Sequence, residues 1–275
     1  MRHELHATLL TRRVKILVVG AGGTGSQVLT SLAQFDHAMR ALGHPGFDVH
    51  VTDPDRVSPT NIGRQQFWPA DVGHVKSEVL VHRINMAMGT RWTAGIEKVS
   101  ASGSIRTDLV IGCVDTRAAR FGIVRSVERG GGGLTYYLDF GNSRDTGQVV
   151  LGQVSNSGRK LNPEGKLPHV GELFPEAIDP SLDANDDQPS CSIAEALEKQ
   201  SLFINRAVTV HGMNLLWKLF RHREITEHGC FVNLASGQTR PIPVDEAYWA
   251  TNGYGPEKAH VRLRKKTKKA CLLAA

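Results

Sequence analysis

Short apolar runs alternate with amphipathic segments along the first half of the chain. Residues 14–19 (VKILVV) form a continuous apolar run, which is typical of a parallel strand buried on both faces. A glycine-rich turn follows, and apolar residues then recur at helical intervals from Val28 to Met39 until Gly43 and Pro45 end the helix. FDVHVTD (47–53) predicts the next strand. This order of strand, turn, helix and strand predicts the opening of a doubly wound α/β sheet.

The alternation continues through the middle of the chain. SEVLVHRINMAM (77–88) predicts a helix, DLVIGCVD (108–115) a buried strand, and TRAARFGIVRSVER (116–129) a further helix. Two more strands are predicted at LTYYLDF (134–140) and QVVLGQV (148–154). The predicted fold class is therefore α/β, with a Rossmann-like, doubly wound and mainly parallel sheet.

The second half of the chain is less regular. Residues 155–190 are rich in Gly, Pro, Asn and Asp, which predicts a polar crossover loop, and loops of this length are more often functional loops or lids than filler. Helical periodicity returns over residues 192–222, as two helices or one bent helix. FVNLASGQTRPIPV (231–244) predicts an antiparallel hairpin with a turn near Ser236 and Gly237.

Composition adds limits to this picture. A chain of 275 residues with 40% hydrophobic content can bury one large core, which we place in a domain spanning residues 1–260. No apolar run approaches the roughly 18 residues of a membrane span, and the N-terminus lacks the apolar core of a secretion signal. We therefore expect a cytoplasmic protein with no membrane partner. The four cysteines form no CxxC pair, so no zinc is expected.

The net charge of +6 at pH 7 has one source, a basic tail at residues 261–275. Its stretch RLRKKTKK holds six basic residues, and without them 27 basic residues face 27 acidic ones. We expect the tail to be flexible and solubilising. Binding of nucleic acid or of an acidic partner is the alternative, and it would involve the tail alone.

The glycine-rich turn predicts a phosphate site. Gly20, Gly22 and Gly25 satisfy GxGxxG, with Gly23 as an additional glycine. Glycine is needed where the backbone approaches phosphate oxygens closely, and the following helix points unpaired amides and the positive end of its dipole at the anion. The motif alone is weak, but its place between a buried strand and an amphipathic helix favours a nucleotide over a merely tight structural turn.

Polar residues after the second strand favour a triphosphate. Asp53 ends that strand, where an acidic side chain usually accepts hydrogen bonds from a ribose hydroxyl, a cap or turn role being the alternative. Arg64 and Lys76 would neutralise the charge that develops when a triphosphate loses pyrophosphate, which a dinucleotide does not require. Asn61 and Gln65 add neutral donors. This set favours ATP over NAD(P) or a flavin.

Four motifs occur in one order between Val14 and Arg120: GAGGTGS, DPDRVSPTNIGRQ, GHVKSE and GCVDTRAAR. In this combination the chain resembles the ThiF and MoeB family of adenylating enzymes, which are related to ubiquitin-activating enzymes. The resemblance implies an ATP-dependent adenylyltransferase that uses Mg²⁺. The C-terminal carboxylate of a small ubiquitin-like protein of β-grasp fold would attack the α-phosphorus of ATP and expel pyrophosphate. The resemblance also implies a homodimer.

The resemblance assigns roles to individual residues. It places Asp53 at the ribose, associates Asp115 with Mg²⁺ and the adenylate, and includes Asp55 in the motif without a defined role. The residues that it implies bind the nucleotide are Gly20, Gly22, Gly23, Gly25, Asp53, Asp55, Asn61, Arg64, Gln65 and Lys76. The candidate catalytic residues are Arg64, Lys76, Asp115 and Cys191.

Cys191 suggests a second chemical step. It lies where the polar loop meets a helical segment, and a helix dipole there would stabilise a thiolate that accepts the acyl group from the adenylate as a thioester. Packing or capping is the alternative. Cys113, inside a predicted buried strand, is expected to be a core residue. The surrounding stretch QPSCSIAEAL (188–197) is similar to the ThiF-like component of bacterial PRTRC systems.

Two features depart from the resembled family. Many members carry two CxxC pairs for structural zinc, and many have an arginine-rich N-terminal helix that reaches into the partner subunit's site. Only thirteen residues precede the first strand here, so Arg12 or Arg13 would substitute for that helix or simply flank the strand in solvent.

Two other functions remain open. An NAD(P)- or flavin-dependent oxidoreductase would use the glycine turn and Asp53 but leave Arg64, Lys76 and Asp115 without a role. A non-catalytic nucleotide-binding scaffold would use the basic tail to join a DNA-associated complex.

Overall fold

A computed structural model describes residues 1–131, 133–155, 166–183 and 200–254. Three sequence features lie outside these described residues: Cys191, the stretch QPSCSIAEAL around it, and the basic tail. The interpretations attached to them therefore stay predictions.

Ten strands and seven helices make up the described part of the chain. The strands are β1 His3–Glu4, β2 Val14–Val19, β3 Phe47–Thr52, β4 Thr93–Gly95, β5 Leu109–Gly112, β6 Leu134–Asn142, β7 Thr146–Ser155, β8 Glu224–Ile225, β9 Glu227–Asn233 and β10 Gln238–Pro243. The helices are α1 Thr8–Thr11, α2 Gly23–Ala41, α3 Lys76–Met88, α4 Arg117–Gly130, α5 Val170–Leu173, α6 Ile204–His222 and α7 Glu246–Thr251. Short 3₁₀ turns lie at Pro59–Asn61, Pro69–Asp71, Pro175–Ile178 and Pro180–Leu182.

Eight strands form one sheet in the order β4-β3-β2-β5-β6-β7-β9-β10. The strands from β4 to β6 run parallel, and β7, β9 and β10 continue the sheet in antiparallel pairing. After β2 the chain forms β3 on one side of β2, and later it forms β5 on the other side. The connections that follow β2 and β5 therefore lead to opposite sides of the sheet, and they diverge at the carboxyl ends of these two strands. The predicted fold class, including the C-terminal helix and hairpin, is confirmed.

The central strands carry the core, as their continuous apolar runs predict. Val14, Val18 and Val51 are fully buried, which is typical of parallel strands covered on both faces. Helices α2 and α6 pack against each other, and Phe35 of α2 makes edge-to-face contacts with Phe220 and Trp217 of α6 at centroid distances of 5.6 and 5.9 Å. Trp217 therefore lies against the core of its own chain.

The segment expected to be a polar loop at 155–190 differs from that expectation where it is described. Residues 166–183 include α5 and two 3₁₀ turns, and Leu167, Val170 and Leu173 are almost completely buried. Gln153 of β7 fixes the segment, because its backbone amide donates to the Leu167 carbonyl at 2.9 Å. A few well-spaced apolar residues thus anchor a stretch whose overall composition is polar.

No helix in the described ranges is both long and apolar enough to span a bilayer.

Two buried histidines make the stability of the fold depend on pH. Burial lowers the pKa of His169 and of His228 to about 4, from the ordinary value of 6.5. The indole of Trp249 donates to Nε2 of His228 at 2.9 Å, so the Nδ1 of that ring donates to the Leu151 carbonyl at 2.8 Å. The unfolded chain takes up protons near pH 6.5, whereas the folded chain resists them until about pH 4.

We therefore expect the free energy of unfolding to decrease as the pH falls from 6.5 to 4. Urea unfolding at several pH values within this window measures the slope. The variant His228→Gln keeps a donor and an acceptor at this place but cannot titrate, so its slope should be smaller. A wild-type free energy that stays constant across the window would contradict the prediction.

Candidate nucleotide site and adjoining cavity

The glycine turn connects β2 to α2 at the point where the chain directions separate. Gly20 has a φ of +94°, and a Cβ on Gly20 would lie 2.5 Å from the carbonyl oxygen of Cys113, just beyond β5. A Cβ on Gly25 would lie 2.0 Å from the carbonyl oxygen of Gly20. Glycine is therefore required at both positions for the turn to close, and α2 begins directly after Gly22 with its first amides at the turn.

Asp53 lies against this turn and is buried. One carboxylate oxygen accepts the backbone N–H of Ala21 at 2.5 Å, and the other accepts that of Asp55 at 2.8 Å. Burial raises the pKa of Asp53, while the two backbone hydrogen bonds oppose that shift. The side chain thus joins the end of β3 to the glycine turn. This contact matches the cap or turn alternative, and the remaining lone pairs leave room for a ribose hydroxyl.

Lys76 is the first residue of α3, and its side chain is only 9% exposed. Its ammonium group donates to Oδ2 of Asp55 at 2.9 Å, and the Asp55 side chain is 65% exposed. A buried cation is therefore held by a carboxylate that water can reach. Asn61 is buried too, but its Oδ1 accepts the backbone N–H of Ser58 at 2.9 Å, so this oxygen caps a 3₁₀ turn.

Arg64 is a half-buried cation with no carboxylate within 4.0 Å among the described residues. Burial lowers the pKa of its guanidinium. Its Nη1 donates to Oε1 of Gln200 at 3.0 Å, whereas its Nε is buried and has no hydrogen-bond partner in the ranges that the structure describes. Oε1 of the neighbouring Gln65 is likewise buried and unpartnered. A desolvated guanidinium without a counter-ion is suited to bind an anion.

Sequence reasoning missed a polar cluster that connects Arg64 to the glycine turn. Oδ1 of Asn205 accepts from the Thr24 hydroxyl at 2.9 Å and from Nδ2 of Asn142 at 2.8 Å. Gln200 donates to Oδ1 of Asn142 at 2.7 Å and accepts from both Arg64 and Asn205. Two signals were available: the polar residue Asn142 ends an apolar strand, and Asn205 interrupts an apolar helix face.

Asp115 is exposed in the loop between β5 and α4. It borders a cavity of about 720 Å³, whose other walls come from the ends of β6 and β7 and from the hairpin β9-β10. Lining residues include Arg120, Asn142, Gln148, Phe231 and Arg240. Asn142 also belongs to the polar cluster, so the cavity and the predicted phosphate site share a wall. Among the described residues, no group of three or more His, Cys, Asp or Glu side chains is arranged to hold a metal ion.

The structure also shows the surroundings of three other residues for which the sequence raised expectations: Arg12, Arg13 and Cys113. Arg12 forms paired hydrogen bonds with Asp108 at 2.6 and 2.7 Å, and Arg13 forms an ion pair with Asp48 at 2.7 Å, so each is engaged within its own chain. Cys113 is partly buried directly after β5, and burial raises the pKa of its thiol. It packs against the glycine turn, as a core residue would.

Part of the chain is similar to known adenylating and activating proteins. Over 117 residues it is 32% identical to the adenylyltransferase and sulfurtransferase UBA4 of Yarrowia lipolytica, covering 40% of this chain and 27% of that protein. Over 72 residues it is 35% identical to the catalytic subunit of the NEDD8-activating enzyme E1 of Saccharomyces cerevisiae, covering 26% of this chain and 21% of that one. The matches therefore span about a quarter of these relatives.

The fold is similar to a solved structure of PaaA, with a TM-score of 0.55 over 84% of this chain and 64% of that chain. The two share 16% sequence identity, so this likeness concerns the fold alone. The ThiF family model matches residues 8–131, which contain the glycine turn, Arg64, Lys76 and Asp115. The family resemblance indicated by the motifs is thereby confirmed, and the chain carries a ThiF family domain at residues 8–131.

Proposed function

We propose that this protein is an ATP-dependent adenylyltransferase that activates the C-terminal carboxylate of a small ubiquitin-like protein. The observation that supports this most is Arg64, a desolvated cation that has no carboxylate partner in the described part of the chain and that the polar cluster connects to the glycine turn. Lys76 adds a second buried cation. An oxidoreductase that binds a dinucleotide would not need both cations, whereas an enzyme that releases pyrophosphate from a triphosphate would use both to neutralise the developing charge.

The reaction needs no general base, because a carboxylate is already ionised at neutral pH. One carboxylate oxygen would form a bond to the α-phosphorus, the bond from that phosphorus to the bridging oxygen would break, and pyrophosphate would leave with the electron pair. The protein's task is to bring two anions together and to offset their repulsion. Arg64 and Lys76 would contact the phosphates, with the glycine turn and Asp53 holding the rest of the nucleotide.

Mg²⁺ fits this site as a partner of the nucleotide. The ion is usually bound by one or two carboxylates together with substrate phosphates, so it does not require a cage of protein ligands. Asp115 offers one exposed carboxylate at the border of the cavity, and Asn142 in the wall of that cavity also belongs to the polar cluster. Bound there with the nucleotide, Mg²⁺ would supply positive charge close to the phosphate oxygens.

Exchange of labelled pyrophosphate into ATP tests the proposal, measured with and without a panel of small β-grasp proteins that have free C-termini. Exchange that depends on one of them supports adenylation. ATP binding without exchange would favour the non-catalytic scaffold. A melting temperature raised by NAD but not by Mg·ATP would favour the oxidoreductase.

Lys76→Gln should lower the rate of pyrophosphate exchange by about 100-fold, because one preorganised cation is removed from the phosphates. The fold should survive, since Asp55, the group left without its partner, is largely exposed to water. Lys98→Gln is the matched control, because Lys98 is an exposed lysine outside the site. Exchange that is equally fast in both variants would exclude Lys76 from phosphate contact.

Finer features of this proposal rest on the sequence. They are a homodimer, a thioester at Cys191, and membership of the PRTRC group. A reductant-sensitive conjugate between enzyme and partner, lost in Cys191→Ser, would establish the thioester step.

A further inference from the structure

Arg120 is another buried cation, and it lies in the wall of the cavity that Asp115 borders. The residue is 8% exposed, and its Nε donates to Oδ1 of Asp139 at 3.1 Å. Its Nη2 donates to the carbonyl oxygens of Val114 and Phe140, both at 3.0 Å. Two of its three nitrogens therefore fix the guanidinium plane between α4, the end of β5 and β6.

Asp139 holds this guanidinium and is not among the residues that line the cavity. It is fully buried in β6, and its Oδ1 also accepts the Tyr137 hydroxyl at 2.7 Å. Its Oδ2 is buried and has no hydrogen-bond partner among the described residues. Apolar residues of similar volume would stabilise such a place at least as well, because a buried ion pair seldom repays its desolvation. The pair is therefore better explained by a need for a fixed cation at this point than by stability.

The third nitrogen of Arg120 remains available. Nη1 makes no hydrogen bond among the described residues, and it is not one of their fully buried, unpartnered atoms. Because Arg120 lines the cavity, Nη1 can donate to a ligand inside it. Arg117 lines the same cavity, but its Nε and Nη1 donate to the carbonyls of Glu176 and Leu182, and its side chain pairs with Asp183.

We propose that Arg120 binds the peptide carboxylate that is to be adenylated, with Nη1 donating to one carboxylate oxygen at the end of the cavity next to Asp115. This inference rests on the proposed function and adds a residue that contacts the acyl substrate. The nucleotide and the carboxylate are both anions, and a guanidinium held by three hydrogen bonds can orient one of them without moving. Asp139 offsets part of the charge of Arg120, so the directed Nη1 hydrogen bond provides the specificity.

Two small probes test the contact without any adenylation reaction: N-acetyl-diglycine and its C-terminal amide. They differ only at the C-terminus, which is a carboxylate in the first and a neutral amide in the second. Titration of the arginine side-chain NMR signals measures their binding. The wild-type protein should bind the carboxylate at least about tenfold more tightly than the amide, and tenfold corresponds to about 1.4 kcal/mol, close to the range for a hydrogen bond to a charged group. Arg120→Gln should reduce this preference to about one, whereas Arg117→Gln should retain it.

Because Arg120→Gln leaves Asp139 without its cation, a second variant is needed in case the first does not fold. Arg120→Met combined with Asp139→Leu removes both charges and keeps the volume. Loss of the carboxylate preference in this folded double variant supports the proposal. A preference that survives in it, or wild-type titrations that leave the Arg120 signal unmoved, would overturn the proposal.

This result and the proposed function can fail separately. If a β-grasp protein supports exchange but its KM is the same for wild type and the double variant, the role of Arg120 is wrong and adenylation stands. If the carboxylate preference depends on Arg120 but no exchange occurs with any β-grasp protein, the carboxylate site stands and the adenylating function fails.

Discussion

Asp115→Ala is expected to reduce pyrophosphate exchange by about 10²- to 10³-fold while leaving the protein folded. The reduction follows because the proposed metal contact is lost at the edge where the triphosphate and the carboxylate would meet. The fold should survive because the Asp115 side chain is exposed, and α4 keeps its own cap through the Thr116 hydroxyl, which accepts the Ala119 N–H at 3.1 Å. Exchange rates over a range of Mg²⁺ concentrations measure the effect.

The matched control is Glu246→Ala, which removes an exposed carboxylate from the first turn of α7, outside the site. It should exchange at the wild-type rate with an unchanged Mg²⁺ dependence. If Asp115→Ala also exchanged at the wild-type rate, the carboxylate would have no part in the reaction, and the placement of Mg²⁺ would have to be abandoned.

Gly25→Ala should abolish nucleotide binding and lower the free energy of unfolding by about 3 kcal/mol. The new methyl group would lie 2.0 Å from the Gly20 carbonyl oxygen, a rigid backbone atom that cannot turn aside. The turn must open, which moves the first amides of α2 away from the predicted phosphate position. Thermal melting with and without Mg·ATP measures both effects, and the variant should show a lower melting temperature and no rise with nucleotide.

Gly73→Ala separates this closure effect from the general cost of replacing glycine. Gly73 has a φ of +88° but open space around its Cβ position, so alanine there should cost only about 1–2 kcal/mol of backbone strain. It should keep the full stabilisation by Mg·ATP. A Gly25→Ala protein that binds Mg·ATP as wild type does would show that the turn does not cradle the nucleotide.

The parallel part of the fold could be predicted because the local pattern of apolar residues agrees there with the position of each strand inside the sheet. The apolar runs that form β2 and β5 are continuous, as strands covered on both faces require. The ends of α2 also carry local signals, glycine at its start and Gly43 with Pro45 after it. β4 has three residues and β1 two, too few for any periodicity, so their pairing, with β3 and with β8 respectively, is set by tertiary contacts and not by their own sequence.

The site was predictable only as far as it is local in sequence. Gly20, Asp53 and Lys76 occur between the end of β2 and the start of α3, and the structure brings Asp53 to the glycine turn and Lys76 to Asp55. The environment of Arg64 depends on Gln200, 136 positions away. The ion pair of Arg120 with Asp139 depends on the start of helix α4 lying against strand β6. No spacing rule reaches such contacts, because tertiary packing creates them.

The sheet changes from parallel to antiparallel pairing after β6, close to residue 131, where the match to the ThiF family ends. Strands β2 to β5 and the helices between them lie inside the stretch that matches the ThiF family, whereas β7, β9 and β10 lie beyond residue 131. Much of the cavity wall is built from this unmatched half. The part of the chain that matches the ThiF family and the part beyond it are therefore neighbours in one sheet. Substitutions at Gln148, Phe231 or Arg240 would alter what enters the cavity without changing the residues of the glycine turn.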